Sequence, residues 1–244
     1  MKQFHIYTIF AAIVTLMMPM VTMAQKPTAY FSKDQLPNAI NYLPEPPDTA
    51  STRFVYDLTQ YYWGKSLRET DRGRQAKRNA IFDTDTMLVQ FSDVFGYELS
   101  ATATPAIYKV INNGLYTIHF GGTKAKNHYK RKRPYTRMAE PSLVPEDEEE
   151  LRHNGSYPSG HTIVGWGMAL LLCEINPDAQ DAILQLGYEW GQSRVIAGYH
   201  WQSDIDAGRM VAAACYARLH TSETFMEDMR QARKEFESLK AAKK

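Results

Sequence analysis

Cysteine is scarce in this chain. Only Cys173 and Cys215 occur in 244 residues, too few for a disulfide-scaffolded mini-fold and without metal-ligand spacing. Excess charge of one sign is also absent, with Lys+Arg 28 set against Asp+Glu 27 for a formal net charge of +1. That balance excludes a chain that binds polyanions by bulk charge, so a nucleic-acid or membrane partner would need a local patch. No long hydrophobic run remains beyond residue 24, and a mean hydropathy of −0.44 argues against a multi-span membrane protein. Strand-type alternation is scarce and no internal repeat is found. With 44% hydrophobic residues, the chain is long enough to close a substantial core in one large domain or two small ones, and apolar burial must hold it together.

The first 24 residues stand apart. Lys2 precedes an apolar run from Phe4 to Val21 that ends at Thr22-Met23-Ala24, and it is the only Asp, Glu, Lys or Arg of the stretch. His5, Thr8, Thr15 and Pro19 interrupt the run, which is short against the roughly 20 apolar residues of a membrane span. The pattern predicts a secretory signal at 1–24, cleaved before Gln25, in preference to an uncleaved anchor. No Cys follows Ala24, so a lipid-anchored start is not expected. The expected mature protein is exported, periplasmic or secreted, and free of the membrane once the signal is removed.

Residues 25–49 carry Pro27, Pro37, Pro44, Pro46 and Pro47 without periodicity, which predicts an extended lead-in laid over a helical domain at 50–244. No linker splits that domain. Helical spacing recurs in Phe54, Leu58, Tyr61 and Tyr62, in Leu88, Phe91, Val94 and Phe95, and in Ile107, Val110, Ile111 and Leu115. Thr104-Pro105 and Asn176-Pro177 each predict a capping side chain followed by Pro at the first helical position. Ser222 to Lys244 places Phe225, Met226, Met229, Phe236 and Leu239 on one face, an amphipathic closing helix. The expected fold is all-α, a single-domain helical bundle.

Two charge runs, Lys130-Arg131-Lys132-Arg133 and Glu146-Asp147-Glu148-Glu149-Glu150, read mainly as solvated faces, with no specific nucleic-acid partner. Arg133 differs, because Pro134 fixes the chain after it and Lys126 lies seven residues before it. A second window, Gly155-Ser156-Tyr157-Pro158-Ser159-Gly160-His161-Thr162, precedes the apolar stretch Ile163 to Cys173. Ser159 there caps a helix whose first turn holds Gly160 and His161, so backbone N–H groups and the positive dipole end form an anion cradle beside an imidazole. The third window runs from Ser193-Arg194 to His200 and Asp204. A carboxylate four residues after a histidine can receive one imidazole N–H and leave the other nitrogen nucleophilic, while Arg194 offers a planar fork for two phosphate oxygens.

Lys-x6-Arg-Pro, Pro-Ser-Gly-His and Ser-Arg-x5-His-x3-Asp, in that order between Lys126 and Asp204, resemble the type 2 phosphatidic acid phosphatase superfamily, which includes the vanadium haloperoxidases. The run Gly155 to Thr162 is similar to the signature of the bacterial class A non-specific acid phosphatases. The likeness continues through Leu43-Pro44-Glu45-Pro46-Pro47, Thr70-Asp71-Arg72-Gly73, Tyr108-Lys109, Glu174-Ile175-Asn176-Pro177 and Gly198-Tyr199-His200-Trp201-Gln202-Ser203-Asp204. The resemblance implies that Lys126, Arg133 and Arg194 bind phosphate and that Ser159 and Gly160 also hold its oxygens. It further implies that His161 protonates the leaving group, that His200 is the nucleophile, that Asp204 orients His200, and that the protein is a homo-oligomer. Lys130, Arg131 and Lys132 occupy positions the motif leaves free and are assigned no role.

Three fixed cations and a helix N-terminus suffice to stabilise a phosphate monoester's oxygens, so no metal and no cofactor is expected. A neutral His200 beside a protonated His161 calls for activity on the acid side of neutrality. The expected function is hydrolysis of small phosphate monoesters over a broad range, through a phosphohistidine, with transfer to alcohols as a side activity. A lipid-phosphate phosphatase, a vanadate-dependent haloperoxidase and a non-catalytic phosphate-binding protein are the alternatives. Asp83-Thr84-Asp85-Thr86 resembles the paired aspartates of the magnesium-dependent haloacid dehalogenase phosphatases but follows no buried strand, and a helix-capping turn is expected instead. Cys173 and Cys215 are expected as two buried free thiols, with a disulfide as the alternative.

Overall fold

The computed structural model describes residues 26–243, and the expected signal at 1–24 lies outside them. Among the described residues there is no strand. The helices are α1 (Thr52–Ser66), α2 (Asp71–Arg78), α3 (Thr84–Phe95), α4 (Pro105–His119), α5 (Thr123–Tyr129), α6 (Pro134–Met138), α7 (Glu148–Arg152), α8 (Gly160–Ile175), α9 (Gln180–Ile196), α10 (Gln202–Leu219) and α11 (Glu223–Ala242). No helix of the described residues is long and apolar enough to cross a membrane.

Helix α8 is the centre of the bundle because it is apolar on every side. Ile163, Val164, Met168, Leu171, Leu172 and Ile175 are all buried, as a helix without a polar stripe requires. Ser159 caps it by accepting the Thr162 N–H at 3.2 Å, as its sequence predicts. Helices α9, α10 and α4 pack around α8, α11 closes over α4, and α1 and α2 lean on α9. The apolar stripe of α4, from Ile107 to Leu115, is buried, as are Phe225, Met229 and Phe236 of the closing helix. Tyr62, grouped by spacing with the inward face of α1, points to solvent instead.

Two caps differ from expectation. Thr104 makes no capping bond, because its hydroxyl is tied back to the Ser100 carbonyl at 3.1 Å. The free N–H groups of Ala106 and Ile107 donate to the Glu235 carboxylate of α11 at 3.2 and 2.9 Å, so a distant side chain does the work. Asn176 instead donates to the Phe95 carbonyl at 2.9 Å, and a 3-10 turn over Pro177–Ala179 precedes α9. Asp83 does cap α3, accepting the Thr86 N–H at 2.8 Å. The Pro-rich lead-in contains one 3-10 turn, Ala39–Asn41, and is more than a surface layer: Leu36, Ala39 and Leu43 join the main core. Both cysteines are free thiols, but Cys173 is only partly buried while Cys215 is fully so. Burial raises their pKa values to about 11 and about 12 respectively.

The α8–α9 seam positions the two helix ends that carry His161 and Arg194, and it closes through glycine. A Cβ on Gly165 would lie 2.5 Å from Trp190 Cδ1. A helical Gly→Ala change normally gains about 1 kcal/mol, whereas overpacking a rigid core costs about 1–3 kcal/mol. Gly165→Ala is therefore expected to lower stability in urea unfolding by about 1 kcal/mol or more, the reverse of the usual sign.

Candidate active site

The C-terminus of α9 and the N-termini of α8 and α10 meet at one end of the bundle, where the α5–α6 segment crosses them. Gly198, at φ 80°, adopts the left-handed backbone that reverses the chain after α9. The N–H groups of Tyr199 and His200 then return to the Arg194 carbonyl at 3.0 and 3.2 Å. Asp204 sits in the first turn of α10, where Oδ2 accepts the Trp201 N–H at 2.8 Å. The Ser159 N–H donates to the Asp204 carbonyl at 2.9 Å, which joins the second and third sequence windows backbone to backbone.

A cavity of about 610 Å³ opens at this junction, lined by Lys126, Arg133, Gly160, His161, Arg194 and His200. Arg194 is 3% exposed, lies 4.2 Å over the Tyr199 ring, and keeps Nε and Nη1 without a partner. A desolvated guanidinium with free donors is costly unless an anion fills the space before it. Arg133 is held by the Leu151, Asn154 and Tyr199 carbonyls at 3.0, 3.1 and 3.2 Å. Lys126 donates to the Gly155 carbonyl at 2.8 Å; burial, then the neighbouring Arg133, push its pKa down to about 7. Ser159 lies beneath the cradle. Its oxygen accepts from both the Thr162 N–H and hydroxyl, at 3.2 and 2.9 Å, which leaves only its hydroxyl hydrogen for an anion.

His200 is 3% exposed, with Arg133 Nη1 at 3.1 Å from Nε2. Arginine can only donate, so Nε2 carries the lone pair and the ring proton is on Nδ1, which faces Asp204 Oδ2 at 3.4 Å. That distance is longer than a formed hydrogen bond. Burial and then Arg133 hold the His200 pKa well below its usual value, so the free imidazole is neutral. His161 donates Nε2–H to the Asn79 carbonyl at 2.5 Å and lies between Phe82, at 5.2 Å, and Trp190, at 5.9 Å. Burial, then Arg194, likewise depress its pKa.

Arg131, which the motif leaves free, is not a solvated charge. It donates to Asp204 Oδ1 at 2.6 Å through Nη1 and to Asp57 Oδ2 at 2.7 Å through Nη2. Asp57 also accepts the Ser203 N–H at 2.8 Å and the Ser203 hydroxyl at 2.7 Å. Burial alone would raise the Asp204 carboxyl, yet Arg131, followed by His200, holds it well below the carboxylate range. Burial likewise works against the Arg131 charge, and Asp204 and then Asp57 outweigh it and raise its pKa. Asp57 had a legible signal: it stands between Phe54 and Tyr61 on the buried stripe of α1, where a carboxylate needs a partner. Asn79 and Phe82 had none.

Together the bundle and the cavity define an α-helical protein in which Lys126, Arg133 and Arg194 line one cavity with two imidazoles, His161 and His200. The PAP2 superfamily model matches residues 102–225. The non-specific acid phosphatase of Providencia stuartii is 42% identical over 217 residues, 88% of this chain and 88% of its own. That of Salmonella typhimurium is 37% identical over 216 residues, 88% of this chain and 86% of its own. The acid phosphatase of Zymomonas mobilis is 34% identical over 215 residues, covering 88% of this chain and 80% of its own. The chain belongs to the PAP2 superfamily and, within it, to the non-specific acid phosphatases.

Removing Arg131 strands two buried carboxylates. Arg131→Met is expected to cost about 3–5 kcal/mol of unfolding free energy. The stability that Arg131 confers through the depressed Asp204 pKa is present above the ordinary unfolded value of about 3.9 and is lost as pH falls through the folded one. Acid titration of the fold should therefore show the variant unfolding at a higher pH than the wild type.

Proposed function

We propose that the protein hydrolyses phosphate monoesters in two displacements through a phosphohistidine at His200. The observation that carries this reading is the buried Arg194 with two free donors, facing the same cavity as Lys126, Arg133 and the lone pair of His200. A phosphate dianion takes its oxygens to Arg194, Lys126, the first-turn N–H of Gly160 and the Ser159 hydroxyl. Arg133 exchanges its contact with His200 Nε2 for a phosphate oxygen, which releases the lone pair for attack. As the N–P bond forms and the ester P–O bond breaks, Nδ1–H leans on Asp204, and His161 gives a proton to the leaving oxygen.

His161 is neutral before the substrate binds, and it takes up its second proton from solvent as the dianion binds, because that negative charge offsets the repulsion from Arg194. Its Nε2–H is tied to Asn79, so the transferable proton is on Nδ1. In the second step His161 takes a proton from water, the water oxygen attacks phosphorus, and the N–P bond breaks to release phosphate and neutral His200. An alcohol in place of water would accept the phosphoryl group instead. The leaving group meets Ile81 and Phe82, half-exposed apolar side chains with no hydrogen-bonding group, which suits alcohols of varied structure. Removal of residues 1–24, export, a helical domain at 50–244 and assembly as a homo-oligomer belong to the same reading and are supported by the acid phosphatase resemblance.

Quenching in alkaline detergent during turnover of a radiolabelled ester should trap label on the protein. His200→Ala is expected to lose both that label and turnover, by about 10⁴-fold or more. Labelled protein from the variant would overturn the assignment of the nucleophile.

Lys126 also sets a pH dependence. Its pKa of about 7 in the empty site must rise when an anion binds beside it, so anion affinity is full below that value and falls as pH rises from it toward the pKa of the complex. Sulfate, whose charge is constant over this range, should inhibit competitively with an affinity that weakens above about pH 7, by up to tenfold per unit. In Lys126→Met the affinity should be lower, and this dependence on Lys126 should be gone.

A further inference from the structure

Among the described residues, three side chains that line the catalytic cavity carry a buried polar atom without a hydrogen-bond partner: Arg194, His200 and His119. The first two have parts in the phosphoryl transfer proposed above, Arg194 as an anion ligand and His200 as the nucleophile. His119, the last residue of α4, has none, although its Nδ1 is as shielded as their nitrogens.

Packing alone does not account for an imidazole at this place. The ring lies 5.5 Å from Phe82 and 6.2 Å from Phe120, contacts that a phenylalanine would make without burying a polar atom. A buried nitrogen that bonds to nothing costs free energy unless a ligand supplies the missing partner. The side chain stands where the catalytic cavity meets a second, basic cavity of about 470 Å³, with Lys126, Arg133 and Gly160 common to both.

The missing partner has a place to enter. A Cβ on Gly160 would lie 3.5 Å from Lys126 Cε, 3.6 Å from His119 Cε1 and 3.9 Å from His119 Nδ1. Glycine leaves that space open at the first turn of α8, between the lysine stem and the imidazole edge. In a helix the Cα–Cβ bonds tilt toward the N-terminus, the direction in which the free N–H groups of the first turn also point. A phosphate oxygen that takes bonds from the Gly160 N–H and from Lys126 therefore comes within reach of Nδ1.

We propose that His119 is a further phosphate-binding residue, whose Nδ1–H donates to the oxygen held by Gly160 and Lys126. The proposal rests on the reading of this cavity as a phosphate site and adds a ligand to it. Neighbouring charges decide when the ring holds a second proton. Burial, then Lys126 from α5 and Lys33 from the lead-in, lower the His119 pKa. His161 of α8 meets the same Phe82 ring, at 5.2 Å, and Asp83 at the start of α3 shares a small recess with His119. The other charged residues of the catalytic lining are Lys77, Arg133, Arg194, Asp147 and Glu150, and the basic cavity contributes cations alone. A dianion bound beside Nδ1 offsets the lysines and raises the pKa, so anion binding draws a proton onto His119. Affinity from this source is full below the pKa that holds before the anion binds. It is lost as pH rises from there to the pKa of the complex.

The test uses two variants. His119→Phe keeps the packing ring and removes both nitrogens, whereas His119→Asn offers an amide N–H near the place of Nδ1 but takes up no proton. Thermal unfolding verifies that both fold. Sulfate binding is measured by calorimetry in two buffers of different ionisation enthalpy, which reads affinity and proton uptake together without turnover. His119→Phe is expected to bind sulfate about tenfold more weakly, the contribution of one charge-assisted hydrogen bond, and His119→Asn to recover part of that loss. Between about pH 5 and 7 both variants should take up fewer protons than the wild type, by up to one, since His161 takes up its own in all three proteins. In turnover by His119→Phe, KM for p-nitrophenyl phosphate and for propyl phosphate should rise by the same factor, with kcat changed by less than about threefold, because the contact is to phosphate and to neither alcohol. Unchanged sulfate affinity, unchanged proton uptake, an asparagine variant that binds no better than the phenylalanine one, or a KM rise confined to one ester would overturn the proposal. A wild type that binds sulfate through His119 but turns over neither ester would overturn the phosphatase reading and leave the anion contact standing.

Discussion

The structure depends on a buried guanidinium, Arg131, held between two carboxylates that are fully shielded from solvent. Without it Asp204 would be a carboxylate with no cation beside it in a desolvated site and would take up a proton, and a neutral carboxyl offers the Nδ1–H of His200 no negative charge to face. Asp57 on α1 completes the bridge, so a helix that does not line the cavity shares in setting the charge that faces His200. Cations outnumber carboxylates around the cavity. Lys77, Lys126, Arg133 and Arg194 line it against Asp147 and Glu150, an excess of two positive charges with Lys126 protonated, which a phosphate monoester dianion cancels. Burial depresses the Lys126, Arg133, Arg194 and histidine pKa values; Arg133 adds to it at Lys126, Arg194 and His200, and Arg194 adds to it at His161.

Fold and chemistry are coupled through three helix ends. Helix α8 offers its N-terminus because Ser159 caps it, α10 offers Asp204 in its first turn, and α9 ends where Gly198 turns the chain. The Ser159 N–H to Asp204 carbonyl bond and the return of Tyr199 and His200 to Arg194 make these ends one backbone-bonded unit. The unit rests on a seam of glycines and on Trp190, so packing density in the core is transmitted to the orientation of His161.

Much of this was legible from residue order. Ser-Gly-His before an apolar run, and His with Asp four residues later, are local arrangements in which spacing along a helix decides which groups meet, and the structure brings all eight expected residues to one end of the bundle. Roles that depend on distant segments were not legible. Arg131 sits among three other basic residues, and only the fold shows that it points inward to α1 and α10. Thr104 and Asn176 have capping chemistry, but Ser100 and the Phe95 carbonyl compete for them, and the α4 N-terminus is served by Glu235 from the last helix. His119 lies in no motif at all, yet it borders both cavities. The lead-in carries no periodicity, and its burial of Leu36 and Leu43 arises from packing that no local pattern encodes.

The central claim is that phosphorus is attacked twice, first by His200 and then by water or an alcohol. Stereochemistry at phosphorus tests it most directly. A phosphate ester made chiral with oxygen isotopes is turned over with an acceptor alcohol, and the configuration of the transferred group is read in the product. Two in-line displacements through the His200 adduct predict overall retention of configuration. Inversion would mean that the acceptor attacks the substrate directly, and would contradict the covalent mechanism that the neutral, Asp204-facing imidazole supports.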